Sequence, residues 1–331
     1  LGRTIEELET PNAQTVAPVK VTLTDPAEPP SAPSSPKTRI NLILGLVLGL
    51  AAGIGSALLR NALDTTVKSP KELDQLATAP SLGAVLFDTN AKTQVLSALD
   101  ATAVQSEGYR TIRANLQYVN VDDPIHAFVV TSAAPGDGKT TVACNLAIAV
   151  AQAGRKVCLV EADLRRPRVS EYLQLNAQTG LTEVLSGQIK LEDALQDWGR
   201  GMLKVLPPGA IPPNPSELLG SHQMAQVISN LKREFDVVIL DTPPLLAVSD
   251  AAVLASQADG AVVVVRHGKS SKDAVRNAVA SLEQINANIL GTVLNAVPVK
   301  RGGSYGYAYG YGYGDGKPSG DYKKPAIQQG A

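Results

Sequence analysis

The segment "TSAAPGDGKTT", residues 131–141, combines residue types that bind phosphate groups. It follows an apolar run and opens the helical run "VACNLAIAVAQAG". Gly136 and Gly138 allow a tight turn whose backbone N–H groups point at phosphate oxygens, and the helix start adds positive potential. Lys139 can reach the β- and γ-phosphates of a nucleotide, and the Thr140 hydroxyl can bind Mg²⁺. The sequence therefore predicts a P-loop.

The predicted nucleotide contacts extend over the whole turn. The usual first glycine of the motif is Ala133 in this chain, a mild departure that leaves the strand and helix context intact. Contacts with the nucleotide are expected from Ala134, Pro135, Gly136, Asp137, Gly138, Lys139, Thr140 and Thr141.

Acidic side chains at the ends of two further apolar runs complete the predicted site. "VVILDTPP" places Asp241 at the carboxyl end of a strand, where it can hold Mg²⁺ through water. In "CLVEADLRRPRVS", Asp163 could act on the metal or accept the proton of an incoming hydroxyl. Glu161 is a second candidate for that proton, and the choice stays open. The predicted catalytic residues are Lys139, Glu161, Asp163 and Asp241, and the predicted metal ligands are Thr140, Asp163 and Asp241.

Three arginines follow Asp163 in the same loop. They could contact phosphate or tether the loop. They are Arg165, Arg166 and Arg168. For Arg166 and Arg168, a solvent-exposed turn without a binding role is an equally compatible interpretation.

Apolar strands that alternate with helices must position these residues. The predicted strands are 126–132, 156–162, 202–209, 235–241, 260–266 and 288–297, and the predicted helices are 140–153, 180–197, 216–234, 249–257 and 270–286. This alternation predicts an α/β fold of the P-loop NTPase type, with a mostly parallel sheet and helices on both faces. The two cysteines, Cys144 and Cys158, lie in apolar surroundings and are predicted to be reduced core residues.

One transmembrane helix is predicted before this domain. Ile40 to Leu59 are 20 residues without a charge, which as a helix would span the roughly 30 Å hydrocarbon layer. Gly45, Gly49 and Gly53 recur every four residues, so one face could pack against another transmembrane helix. The charges that flank the span are too balanced to predict its orientation.

Five segments follow from these patterns. They are a Pro-rich stub at 1–39, the transmembrane helix at 40–59, a juxtamembrane connector with short helices at 60–103, the P-loop domain at 104–300 and a Gly/Tyr-rich tail at 301–331 that we expect to be disordered. The net charge of −1 gives no indication of nucleic-acid binding.

The tail gathers six of the nine tyrosines of the chain, in a setting that no core can bury. They are Tyr305, Tyr307, Tyr309, Tyr311, Tyr313 and Tyr322. Tyrosines between glycines cannot recover the entropy lost on ordering, so we expect them to be exposed and suited to act as phosphoacceptors.

The combined motifs resemble those of the bacterial tyrosine kinases (BY-kinases) of capsule and exopolysaccharide systems. "AAPGDGKT", "LVEADLRRP" and "VVILDTPP" match the three nucleotide motifs of that family, and "PSAPSSPKTRINLILGLVLGLAAG" resembles the Pro-rich motif and second transmembrane helix of polysaccharide co-polymerases. The resemblance covers nearly the whole chain and implies a protein-tyrosine kinase that uses ATP and Mg²⁺. The family usually has Asp where this chain has Glu161. The first transmembrane helix and most of the extracytoplasmic domain of the family are absent, as expected of a fragment of a longer protein.

The resemblance also implies an oligomeric ring. In "EGYRTIR", Glu107, Arg110 and Arg113 lie on roughly one helix face. Spacing alone favours an exposed charged face, whereas the resemblance implies that it docks beside the nucleotide site of a neighbouring subunit. "PPNPSELL", 212–219, also resembles the family, and Asn295 is expected near the nucleotide base.

The implied setting is the cytoplasmic membrane. ATP requires a cytoplasmic kinase domain, so residues 1–39 should lie outside. The expected partners are further copies of the chain, the polysaccharide polymerisation and export machinery, and a cognate tyrosine phosphatase. Two alternatives stay open: a ParA/MinD-type switch ATPase, which would carry a lysine at the position of Ala134, and a non-catalytic co-polymerase scaffold.

Overall fold

The computed structural model describes residues 35–87, 104–120, 124–199 and 201–298. The chain divides into two compact units, residues 1–64 and 65–331. The Pro-rich stub up to residue 34 and the tyrosine tail lie outside the described residues, so their predictions stay predictions.

The first unit contains one long apolar helix, α1, at Thr38–Ala62. Its 25 residues are exposed, and its most apolar 18-residue window has a mean hydropathy of 2.4. At about 1.5 Å per residue it is longer than the roughly 30 Å hydrocarbon layer. By length and composition α1 can therefore cross a membrane, and it extends the predicted 40–59 segment at both ends.

The second unit is built on an eight-stranded sheet. The strands are β1 Ser81–Phe87, β2 Ala127–Ser132, β3 Val157–Glu161, β4 Gln196–Trp198, β5 Leu203–Leu206, β6 Val237–Asp241, β7 Ala261–Arg266 and β8 Ile289–Pro298. Their order is β1-β8-β7-β2-β6-β3-β5-β4, and all neighbours are parallel except β4 and β5. The register of β1 on β8 is irregular at two points, and β4 has only three residues. The mostly parallel α/β sheet predicted from the sequence is confirmed.

Ten helices cover this sheet in the part of the unit that the structure describes. They are α2 Pro70–Leu76, α3 Val104–Tyr118, α4 Lys139–Gln152, α5 Val169–Leu173, α6 Leu181–Leu185, α7 Leu191–Ala194, α8 Pro215–Leu219, α9 His222–Glu234, α10 Asp250–Gln257 and α11 Lys272–Glu283. One apolar cluster joins the sheet to α3, α4 and α5, and a second joins it to α9, α10 and α11. Both clusters consist mainly of aliphatic side chains, and Cys144 and Cys158 are buried in them as free thiols.

Three predicted elements differ from the structure. The helix predicted at 180–197 is replaced by α6, α7 and β4, because Gly187 adopts a left-handed φ of 72° and residues 196–198 pair with β5. The helix predicted at 216–234 is broken where the Ser221 side chain accepts a hydrogen bond from Met224 N and caps α9. The connector predicted at 60–103 contains β1, which is part of the sheet.

Helix α3 lies close against β1 because of a glycine. A Cβ at Gly108 would be 2.7 Å from the carbonyl oxygen of Ala84, so a larger residue would push α3 away from the sheet. The helix with the sequence "EGYRTIR" is thereby held against the edge strand.

Candidate nucleotide site

The ends of three adjacent parallel strands bring the predicted motifs together. β6 lies between β2 and β3, and Asp241 pairs in register with Val130 on one side and Glu161 on the other. The P-loop follows β2, so it meets both acidic motifs at the carboxyl edge of the sheet, where ligands bind in open α/β folds.

A cavity of about 630 Å³ opens at this edge. Its wall includes most of the predicted P-loop contacts, together with Asp163 from the loop after β3 and two prolines after β6. The residues that line it include Pro135, Gly136, Gly138, Lys139, Thr140, Thr141, Asp163, Arg165, Arg166, Arg168, Tyr172, Pro243 and Pro244. The volume is in the usual range for a small-molecule site.

Lys139 joins the two acidic motifs. Its Nζ donates a hydrogen bond of 2.8 Å to Asp163 Oδ2 and lies 3.8 Å from Asp241 Oδ1. Burial by itself would lower the pKa of Lys139, but attraction from Asp241 and Asp163 outweighs it, and the net pKa is raised. Lys139 is therefore a permanent cation at the inner end of the cavity.

Asp241 is completely buried beneath the P-loop. Its Oδ2 accepts a hydrogen bond of 2.7 Å from Thr140 Oγ1. Its Oδ1 accepts none from the residues that the structure describes. Burial raises the pKa of Asp241 from the ordinary value of 3.8 to about 7, against the opposing effect of Lys139.

This pair of oxygen donors fits Mg²⁺. A hydroxyl beside a carboxylate with an unused oxygen is the donor set that P-loop proteins offer to this ion. Among the described residues there is no group of three or more His, Cys, Asp or Glu that could hold a metal. Thr140 and Asp241 would therefore hold Mg²⁺ together with water and substrate phosphates.

The P-loop is fixed from the far side by residues of β7 and β8. Asn295 Nδ2 donates to the carbonyl of Asp137 at 2.9 Å, and Arg266 Nη1 donates to the carbonyl of Gly136 at 2.8 Å. The structure thus places Asn295 against the P-loop backbone. Sequence reasoning missed Arg266, since a basic residue at a strand end carries no signal of a partner 130 residues away.

The comparisons with known proteins agree with this geometry. A family model described as an AAA domain matches residues 127–294. Tyrosine-protein kinase YwqD of Bacillus subtilis is 41% identical over 213 residues, which are 64% of this chain and 90% of YwqD.

The chain belongs to the bacterial tyrosine kinases.

Further similarities reinforce that assignment. Tyrosine-protein kinase etk of Escherichia coli K12 is 33% identical over 307 residues, which are 87% of this chain but 42% of etk, so this chain spans less than half of that relative. The kinase domain of Escherichia coli ETK matches with a TM-score of 0.66 at 33% identity, over 75% of this chain and 100% of that structure. The chimerical protein CapA2B2 matches with a TM-score of 0.65 at 33% identity, over 70% of this chain and 100% of that structure.

In this BY-kinase the two candidate proton acceptors have different surroundings. Asp163 lines the cavity, and its Oδ1 accepts the Arg166 N–H at 3.1 Å. Glu161 is fully buried, and its carboxylate accepts hydrogen bonds from Val169 N at 2.6 Å and from Ser170 N and Oγ at 3.0 and 2.6 Å. Glu161 therefore holds the start of α5 and closes the loop that carries the arginines.

The three predicted interface residues, Glu107, Arg110 and Arg113, do not form one exposed helix face in this BY-kinase. Glu107 and Arg110 form an exposed ion pair of 3.0 Å. Arg113 is directed into the fold, where its Nη1 donates to the carbonyl of Ala149 near the end of α4 at 2.9 Å. Their docking on a neighbouring subunit stays a prediction.

Two of the three arginines of the β3 loop have no buried partner among the described residues. Arg165 is occupied, because it binds both carboxylate oxygens of the buried Asp250 and the hydroxyl of Ser216. Arg166 and Arg168 are exposed and line the cavity. Tyr172, which sequence reasoning missed, completes this wall.

We expect Gly138→Ala to weaken both the fold and nucleotide binding. Gly138 has a left-handed φ of 94°, and a Cβ there would overlap the amide nitrogen of Asn295. The variant should lose about 1–3 kcal/mol of unfolding free energy and at least about tenfold in affinity for a fluorescent ATP analogue. Urea unfolding and a binding titration measure the two effects.

Gly154→Ala is a matched control for that variant. Gly154 has a similar φ of 83°, but a Cβ there would meet nothing within 4 Å. Adding Asn295→Ala to Gly138→Ala should recover part of the stability, because it removes the overlap. Equal losses for Gly138→Ala and Gly154→Ala would show that the contact with Asn295 is unimportant.

We expect Asp241→Asn to stabilise the nucleotide-free protein above neutral pH. The folded-state pKa of Asp241 is raised, so its favourable contribution is complete below about pH 4 and is lost as pH rises through about 7. The stability advantage of Asp241→Asn should grow by about 1–3 kcal/mol between pH 5 and pH 8. Urea unfolding in EDTA measures it, with Asp197→Asn on exposed β4 as control. An advantage that is constant with pH would contradict the assignment.

Proposed function

We propose that the chain is a membrane-anchored protein-tyrosine autokinase that transfers the γ-phosphate of ATP to tail tyrosines of neighbouring subunits. The observation that carries the proposal is the 2.8 Å contact between Lys139 and Asp163 in a cavity formed by a P-loop. A cation for phosphate and a carboxylate for a hydroxyl proton then lie within one hydrogen bond of each other. The names of the relatives support the tyrosine specificity.

The Lys139–Asp163 pair would change partners when the nucleotide binds. The β- and γ-phosphates carry more charge than one carboxylate, so they compete for Lys139 and release Asp163. The freed carboxylate can then accept the proton of a tyrosine hydroxyl. Asp163 is thereby kept from acting as a base until ATP is in place.

Transfer itself would be an in-line displacement. The tyrosine oxygen forms a bond to the γ-phosphorus, the bond from that phosphorus to the β–γ bridging oxygen breaks, ADP leaves, and the proton passes to Asp163. Lys139 and the P-loop N–H groups neutralise charge on the phosphates. Mg²⁺, held by Thr140 and Asp241, would supply further charge neutralisation. Of the two acceptors left open by the sequence, the cavity favours Asp163 over Glu161.

The cellular setting is part of the proposal. Helix α1 would anchor the chain in the membrane with the kinase domain in the cytoplasm, where ATP is available. By the family resemblance, copies assemble into a ring that works with the polysaccharide polymerisation and export machinery and is reset by a tyrosine phosphatase. Six phosphotyrosines would add roughly −9 to −12 charges per tail, so repulsion would loosen the ring.

A mixing experiment tests the proposal. Lys139→Met protein with an intact tail is incubated in Mg-ATP with active protein whose six tail tyrosines are phenylalanine. Label on the Lys139→Met copies, mapped to residues 305–322 by mass spectrometry, is the expected result. ATP hydrolysis without phosphotyrosine would favour the switch ATPase. Normal polymer length in cells that carry Lys139→Met would favour the scaffold.

A further inference from the structure

We propose that Arg166 and Arg168 form a phosphotyrosine-binding rim, which holds a tail tyrosine that is already phosphorylated while the next one enters the cavity. This inference rests on the proposed function and deepens it. It assigns an order to the phosphorylation of the tail, in which each phosphate promotes the next.

The rim lies at the place where a tail would have to pass. Arg166 and Arg168 line the same cavity as Asp163 and follow it by three and five residues. The backbone of this short loop is held at both ends, by the hydrogen bond from Arg166 N to Asp163 and by the bonds of Val169 and Ser170 to Glu161. The backbone of both arginines is therefore held close to Asp163, and their side chains line the cavity from there.

Both guanidinium groups can take a new anion at low cost. Within the described ranges, the guanidinium of Arg166 has neither a hydrogen bond nor an ion pair. Arg168 has one ion pair, with Glu171 at 2.8 Å, in which both side chains are more than half exposed. Exposed pairs of this kind contribute little, and a phosphate with two charges would displace the carboxylate. Arg165, in contrast, is already bound by Asp250 and Ser216.

The spacing of the tail tyrosines allows one to enter the cavity while its neighbour contacts the rim. Tyr305 to Tyr313 occur at every second position, and residues 304–313 contain no charged side chain. In an extended bound peptide, side chains two residues apart lie on the same side, about 7 Å from each other. A phosphotyrosine next to the acceptor would thus be carried to the rim. Before the first phosphate is added, this stretch offers the arginines no charge to bind.

Nucleotide phosphates are the competing ligand for these arginines. They would be held by the P-loop N–H groups and by Lys139, which follow β2 and begin α4. The arginines belong to the β3 loop. The rim is therefore assigned to the acceptor, and the experiment includes the nucleotide as a separate outcome.

Two peptides test the proposal. Both cover residues 302–316, keep Tyr307 as the sole acceptor and have phenylalanine at the other tyrosine positions, except that the primed peptide carries phosphotyrosine at 309. The enzyme is the full chain with its six tail tyrosines replaced by phenylalanine, so that label appears only on the peptide. The readout is the ratio of kcat/KM for the primed peptide to that for the unprimed one. Because the ratio is taken within one enzyme, a general loss of activity cancels.

We expect a ratio of about ten for the enzyme with both arginines, mainly through a lower KM, and a ratio near one for Arg166→Gln/Arg168→Gln. Arg276→Gln is the matched control. Arg276 makes an exposed i,i+3 ion pair with Asp273, like that of Arg168 with Glu171, and lies outside the cavity wall, so the ratio should stay near ten.

The opposite outcomes are distinguishable. Equal kcat/KM for both peptides, or a preference that survives loss of both arginines, would overturn the rim while leaving the kinase activity intact. A raised KM for ATP with an unchanged ratio would assign the arginines to the nucleotide and overturn it as well. Absence of product from both peptides would overturn the proposed function and this inference with it.

Discussion

Lys139→Met should reduce tyrosine phosphorylation by at least about a hundredfold. Lys139 is the one cation that contacts Asp163 and Asp241 in the described part of the cavity, at 2.8 and 3.8 Å. Loss of a charged group that stabilises the transferring phosphoryl group typically costs 10²- to 10⁵-fold in rate. Single-turnover transfer of γ-labelled phosphate to a tail peptide measures the effect.

Folding of the Lys139→Met protein must be checked separately. Its circular dichroism spectrum should match that of the wild type, because Asp241, with its pKa near 7, can take up a proton when the cation is lost. Lys71→Met, at an exposed position of α2, is the control and should keep full activity. Retention of even a tenth of the wild-type rate by folded Lys139→Met would refute the role given to this lysine.

Asp163→Asn should mainly lower the rate of phosphoryl transfer, whereas Glu161→Gln should mainly lower the free energy of unfolding. Asp163 lines the cavity, so its loss as a proton acceptor should lower kcat by about 10²- to 10⁴-fold. Glu161 binds only the start of α5, so Glu161→Gln should lose about 1–3 kcal/mol of unfolding free energy and should retain more activity than Asp163→Asn. Rapid-quench kinetics and urea unfolding of both variants provide the comparison.

One more variant sharpens that comparison. Glu161→Asp, which restores the usual family residue, is the further control. A larger kcat loss in Glu161→Gln than in Asp163→Asn would return the proton-acceptor role to Glu161.

The positions of the P-loop and Asp241 can be predicted from the sequence, because each follows directly from its own strand. The P-loop turn, the helix after it and Asp241 each stand at the end of an apolar parallel strand, and such ends meet at one edge of the sheet. Glu161 could not be interpreted in this way. Side chains two residues apart on a strand point to the same side of the sheet. However, β3 ends at Glu161, so Asp163 lies outside the strand and does not follow this alternation. The two carboxylates therefore face different surroundings.

The remaining differences arise from contacts between distant residues. Arg165 and Asp250 are 85 positions apart in the sequence, and Arg266 and Gly136 are 130 positions apart. No local sequence pattern therefore predicts either contact. The segment at 180–197 has helical composition, but pairing of residues 196–198 with β5 overrides that preference at its end. β1 was missed for a related reason, because residues 81–87 form a strand only where β8 is available to pair with them.

The two outer strands of the sheet have a consequence for how copies of this chain can crowd together. A long regular border strand offers unpaired N–H and C=O groups to any neighbour and invites runaway fibre growth. Here one border is only three residues long and the other is interrupted by register shifts, so neither offers a continuous template. Copies of this chain can therefore come close together without their sheets pairing edge to edge.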